Sequence, residues 1–153
     1  MSLLPRKLSQ FLADLDLLSD RAERIDALIS VAKRYRRVPE RIASPPFDPA
    51  HKVPGCESQA YVWAVPRADG TLDFHFAVEN PQGISAMAMT VILAETLSGA
   101  PLAEVAEVPS DVVYRIFGSE LSMGKSMGLM GMVTMVRAAA ARRRHELATG
   151  AGA

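Results

Sequence analysis

The 153-residue chain carries one cysteine, Cys56. It lies in Val53-Pro54-Gly55-Cys56-Glu57-Ser58, outside every stretch with a helical or strand period. One thiol cannot form an internal disulfide, and it excludes zinc or cluster sites built from three or four thiolates. It can still act as a nucleophile. Pro54 stiffens the approach to it, and Gly55 lets the backbone turn or a partner come close. A thiol at the tip of such a loop is expected to be presented rather than packed. The sequence leaves open whether it is exposed at rest or tucked into an apolar pocket.

A cysteine hydrolase or transferase needs a histidine base. Of the three histidines, His145 falls in a basic helix and His75 on a strand face expected to be wet. His51, five residues before Cys56, is the one candidate that could lie across a hairpin from it. Glu57 and its acidic surroundings oppose a thiolate, so the thiol is poorly activated on its own. Two other patterns carry less. Gly124-Lys125-Ser126 resembles the end of a phosphate-binding loop, but Ser119 stands where that motif needs glycine, so the segment reads as a helix start. Five of the eight methionines lie between 123 and 135, at spacings that fit core filling better than a soft metal. Gly124, Gly128 and Gly131 weaken that helix unless something packs closely over it; the sheet or another helix is expected there.

The elements that must hold Cys56 follow from periodicity. Leu8, Phe11, Leu12 and Leu15 form one stripe of a helix within Pro5–Leu17. Asp20, with Glu23 three residues on, caps a second helix whose stripe is Ile25, Leu28, Ile29 and Ala32, reaching about Arg37 before Pro39. Five of the ten prolines fall in residues 38–55, which predicts a stiff extended connection with a short edge strand near His51–Val53. Ala60–Val65 and Leu72–Val78 read as strands joined at Ala68-Asp69-Gly70. In the second, Phe74 and Phe76 should face inward, with Asp73 and His75 on a wet face.

Ile84–Leu97 is apolar nearly all round and predicts a buried central helix. Short helices are expected after Pro101 and after Ser110-Asp111. A long one runs from about Lys125 to Leu147, with Leu129, Met132, Val133, Val136 and Ala140 inward and Arg142, Arg143 and Arg144 in its last turn. A frayed tail is expected over about 148–153. The fold class is α+β, with a small antiparallel sheet of about three strands flanked by N-terminal and C-terminal helices. Residues 1–153 form one domain, with no internal repeat.

Composition is that of a soluble globular chain: 49% hydrophobic and 22% charged. Seventeen basic residues balance 17 acidic ones, so no global field is available for nucleic acid or an anionic membrane. No apolar run approaches the roughly 20 residues that span a bilayer. No signal peptide is visible, so a cytoplasmic location is expected. Charge is nevertheless segregated. Residues 42–120 hold three basic and ten acidic side chains, whereas residues 1–41 hold nine and six and residues 121–153 five and one. The ends fit helices with solvated basic faces. The acidic middle, which contains Cys56, is also a candidate docking surface.

Val53-Pro54-Gly55-Cys56-Glu57-Ser58-Gln59 resembles the Gly-Cys-x-Ser signature of the SufE family of sulfur-acceptor proteins, including its CsdE relatives. Leu121-Ser122 and Ser126-Met127-Gly128-Leu129 resemble that family's Leu-Ser-x-Ser-Arg-x-x-Gly-Leu helix start. The order of elements agrees over roughly residues 8–147. Tyr61 stands where the family has Trp, and Lys125 where it has Arg, which keeps the charge and loses the bidentate fork.

The resemblance implies a SufE/IscU-like fold and a persulfide carrier that activates a desulfurase rather than working as a stand-alone enzyme. Cys56 would take sulfur from a cysteine desulfurase of the SufS or CsdA type and deliver it to an iron–sulfur scaffold for cluster assembly. Gly55, Glu57, Ser58, Lys125 and Gly128 would support the loop and motif. It implies no cofactor or metal on this chain, since pyridoxal phosphate belongs to the desulfurase. The alternative is a cysteine-dependent hydrolase or transferase using Cys56 with His51 as base.

Overall fold

A computed structural model describes residues 3–119 and 121–150. Over the described residues the chain forms helix α1 (Arg6–Asp16), helix α2 (Arg21–Ala32), a hairpin of strands β1 (Ala60–Pro66) and β2 (Leu72–Val78), and four further helices. These are α3 (Ile84–Leu97), α4 (Leu102–Val105), α5 (Val112–Phe117) and α6 (Met123–Thr149). No helix among the described residues is long and apolar enough to cross a membrane.

The core sits between the hairpin and the helices. Central helix α3 buries nine of its residues, Met89, Ile92 and Leu93 among them, which explains why its sequence shows no polar face. It packs against α1, α2, β2 and α6. Phe74 and Phe76 point inward from β2, as the alternation predicts. Leu8, Leu12 and Leu15 of α1 are buried, as is the α6 stripe of Leu129, Met132, Val133, Val136 and Ala140.

Several expectations are corrected. The sheet has two strands, not three: Pro49–His51 is a single 3-10 turn, and beyond it only an isolated bridge joins Lys52 to Tyr61. Helix α2 stops at Ala32 rather than near Arg37, because the chain turns away so that the Val38 N–H can donate to the Phe76 carbonyl at 2.8 Å. Its inward face is Leu28, Val31 and Ala32, leaving Ile25 and Ile29 exposed.

Nor is the outer face of the sheet simply wet. The proline-rich segment folds over it, so that Phe47 and Val38 cover Tyr61, Trp63 and Ala77 in a second apolar cluster. The Phe47 ring centroid lies 5.1 Å from those of both Tyr61 and Trp63. Helix α6 also outlasts its expected end. Arg142, Arg143 and Arg144 therefore precede the last turn, and Arg143 donates to the Gly70 carbonyl at the hairpin turn at 3.3 Å. The expected frayed tail loses Ala148 and Thr149 to that helix, and residues 151–153 lie outside the described residues.

Candidate functional site

The Cys56 loop is closed by backbone hydrogen bonds at both ends. Val53 N–H donates to the Ala60 carbonyl at 2.8 Å, and Gln59 N–H to the Cys56 carbonyl at 3.3 Å. Asn80 N–H and Glu79 N–H, just past β2, donate to the Ser58 and Gln59 carbonyls, each at 3.1 Å. The chain makes its turn with positive φ at Gly55 (68°) and at Gln59 (55°). Gly55 has the left-handed conformation that glycine adopts without cost, which accounts for its place before the cysteine.

The expectation of a presented thiol is corrected. Cys56 is buried, with 9% of its surface exposed, and belongs to the main core cluster. What covers it is the start of α6. A Cβ on Gly128 would lie 3.0 Å from both the Cys56 Cα and Sγ, tighter than side chains ordinarily pack, so a larger residue here would push the loop outward. One turn earlier, a Cβ on Gly124 would collide with the Glu57 carboxylate. One turn later, a Cβ on Gly131 would lie 2.8 Å from Val53 Cγ1. The three glycines flagged by their helix-weakening cost therefore face the cysteine loop, not the sheet or another helix. Gly83, at the N-terminus of α3, plays the same part on the other side, since a Cβ there would lie 2.8 Å from Ser58 Oγ.

A cavity of about 330 Å³ opens between the loop and the N-termini of α3 and α6. Cys56, Glu57, Ser58, Lys125 and Gly128 all line it, so the structure gathers these sequence-selected residues in one place. Gly55 lies on the other side of the loop, toward a more open hollow that Cys56 and Glu57 also line. Helix α6 begins with Ser122 accepting from Lys125 N–H at 3.3 Å, which confirms Gly124-Lys125-Ser126 as a helix start. Lys125 is exposed and makes no salt bridge with Glu57. The Glu57 carboxylate instead sits over Gly124 in the first turn of α6, where the helix dipole favours an anion.

His51 is not brought to the thiol. Its Nδ1 is 2.8 Å from the Val62 carbonyl, and its ring stacks on Trp63 at 5.2 Å. No histidine lines the Cys56 cavity.

The rim of the site departs from what the sequence predicts. Met123 and Met127, read as core filling, are 78% and 56% exposed, and Ile84 at the cavity edge is 45% exposed. Met127 Cε reaches 3.7 Å from where a Cβ on Gly55 would be, and Met123 lies one turn away on the same face of α6. Apolar side chains thus border the buried thiol. The available signal was glycine spacing: the side of α6 carrying residues 124, 128 and 131 meets the loop, which leaves 123 and 127 at its border.

Comparison with curated proteins found no match. Among solved structures, the chain is similar to the solution structure of a hypothetical protein from Thermus thermophilus. The TM-score is 0.72 at 23% identity, over 94% of this chain and 99% of that one, which shows a shared fold. The family model for SufE, described as an Fe-S metabolism associated domain, matches residues 9–140, a span that takes in both the cysteine loop and the glycine face of α6. The chain therefore belongs to the SufE family, and its role lies in iron–sulfur metabolism.

Proposed function

We propose that Cys56 accepts sulfane sulfur from the persulfide of a cysteine desulfurase and hands it to an iron–sulfur scaffold. The step is a thiol–disulfide exchange with a sulfur atom as cargo. The Cys56 thiolate attacks the outer sulfur of the donor persulfide. A new S–S bond forms on Cys56, the donor's S–S bond breaks, and the donor thiolate leaves with the electron pair. The proton lost by Cys56 balances the one the donor thiolate takes up. No oxidant is consumed.

The observation that carries this reading is the commitment of His51 to Val62 and Trp63 beside a thiol buried under Gly128. A hydrolase would need that imidazole within hydrogen-bond reach of the sulfur. A carrier needs only a thiol that meets its donor, and a buried resting thiol is sheltered from oxidants. Transfer then requires the loop to come off α6. The exposed Met123, Met127 and Ile84 form an apolar border on which the desulfurase docks. As the only cysteine, Cys56 has no intramolecular thiol to discharge the persulfide as a disulfide and sulfide.

The test is intact-mass spectrometry after incubation with a pyridoxal-phosphate cysteine desulfurase and L-cysteine, without reductant. The expected product gains about 32 Da per sulfur atom on Cys56, and Cys56→Ser gains nothing. Hydrolysis of a small ester or amide by the isolated protein, with no sulfur adduct, would favour the hydrolase reading instead.

A further inference from the structure

A concavity of about 910 Å³ shares no lining residue with the Cys56 cavity. Along it runs the edge of β2. This strand pairs with β1 on one side only, so the backbone groups of residues 72, 74, 76 and 78 point the other way. Most are taken. The Leu72 carbonyl accepts from Gly99 N–H at 2.9 Å, and Phe74 N–H donates to Ser98 Oγ at 3.0 Å. The Phe76 carbonyl accepts from Val38 N–H, and Val78 N–H donates to the Tyr35 hydroxyl, both at 2.8 Å. Between these caps, the Phe74 carbonyl and the Phe76 N–H have no partner among the described residues, and both residues line the groove.

That spacing has a specific complement. In a parallel ladder, one residue of the added strand donates its N–H to a carbonyl and accepts, through its own carbonyl, from the N–H two residues further on. The Phe74 carbonyl and the Phe76 N–H offer that pair. The walls supply charge. Lys33, Arg34, Arg36 and Arg37 line one side, and Glu95 is the one carboxylate in the lining. Arg34 and Glu95 pair with each other at 2.9 and 3.1 Å, which leaves three positive charges. Burial holds His75 below the ordinary imidazole range, against the pull of Asp73 and with a smaller push from Arg41, so the imidazole leaves the groove's charge to the Lys and Arg side chains at neutral pH. Val91 and Ala94 of α3 give the groove an apolar strip.

We propose that this edge takes an extended acidic segment of a protein partner as an added strand parallel to β2. One residue of that segment bonds the Phe74 carbonyl and Phe76 N–H, and its carboxylates reach Lys33 and Arg36. Backbone bonds would give affinity and the cations would select for acidic side chains. The proposal is independent of sulfur chemistry at Cys56.

The probe is a short fluorescein-labelled peptide of alternating glutamate and valine, titrated by anisotropy and followed by amide NMR. Binding is expected to shift the Phe76 amide and slow its hydrogen exchange. The double variant Lys33→Glu/Arg36→Glu should weaken binding roughly tenfold or more, while sulfur acceptance on Cys56 is unchanged. A copy of the peptide N-methylated at alternate residues, which keeps the charge and loses the donors, should bind at least as poorly. That comparison needs no protein variant. Equal binding of the methylated copy, or binding that leaves the Phe76 amide untouched, would show a charge-only anion surface and overturn the proposal. So would displacement by a short single-stranded RNA at matched concentration, or no binding at all.

Discussion

From Met123 to Gly131, helix α6 lays Gly124, Gly128 and Gly131 against the cysteine loop and leaves Met123 and Met127 exposed. From Met132 to Ala140, the same helix buries Met132, Val133, Val136 and Ala140 in the core. The first stretch gives up side chains so that a loop can come close. Each glycine costs about 1 kcal/mol of helix stability relative to alanine. The second recovers stability through packing. On the proposed sulfur transfer, a loop that rests on a helix and also leaves it is served by a contact in which glycine presents no side chain, on a helix whose far half is buried in the core. The halves should therefore respond differently to substitution.

The largest effect on stability is expected in the second half. Met132 is fully buried, and Met132→Ala should cost about 2–5 kcal/mol in a urea titration. Alkylation of Cys56 by iodoacetamide under native conditions should keep its rate, because the residue that meets Cys56 is Gly128, one turn nearer the helix start. A faster alkylation at unchanged denaturant midpoint would mean that the two halves are not separate.

Gly128→Ala tests the first half directly. Its new methyl would meet Cys56 Cα and Sγ at 3.0 Å, so the loop must shift. Overpacking costs about 1–3 kcal/mol, against about 1 kcal/mol gained in helix propensity. The net loss should reach at most about 2 kcal/mol, with Cys56 alkylated several-fold faster. A stabilised protein with unchanged thiol reactivity would mean that the loop does not rest on this glycine.

These differences also mark what the sequence could show. The alternation of Phe74 and Phe76 and the all-apolar run of α3 are local periodic signals, and both led to the observed core. The glycines of α6 signalled a close neighbour but could not name it, because a helical period specifies a face and not what lies against it. Phe47 and Val38 carried no period at all. Their folding over Trp63 depends on contacts far apart in sequence, which is why the outer sheet face was expected to be wet. The end of α2 was misplaced for the same reason, since the bond that stops it is made to Phe76. The motif around Cys56 was legible, whereas the burial of its thiol depends on Gly128, 72 residues away.

Glu57 offers a gentler perturbation of the same contact. Its carboxylate sits at the positive end of α6, and Glu57→Lys replaces that attraction with repulsion. The expected loss is up to about 1 kcal/mol, with the loop loosened and Cys56 alkylated moderately faster. High salt should narrow the difference from the parent, because exposed charges are screened. Identical alkylation rates at low and high salt would show that the carboxylate does not hold the loop, leaving the glycine fit as the whole of the contact.

Met127→Ala should have the smallest effect on stability and the clearest effect on partnership. With 56% of its surface exposed, Met127 contributes little to the fold, and its loss should change stability by no more than about 0.5 kcal/mol. If it borders the proposed docking surface, removing its thioether arm takes away apolar area that the proposed desulfurase partner would bury. Desulfurase affinity should then fall several-fold in a fluorescence titration, while saturating enzyme still loads Cys56 with sulfur. The competing role is that of a cover, because its Cε lies close over Gly55. A cover predicts the opposite pair of results: faster alkylation of the free thiol and unchanged affinity. Measuring the affinity and the alkylation rate on one variant decides whether the first half of α6 faces a partner or only shields its own loop.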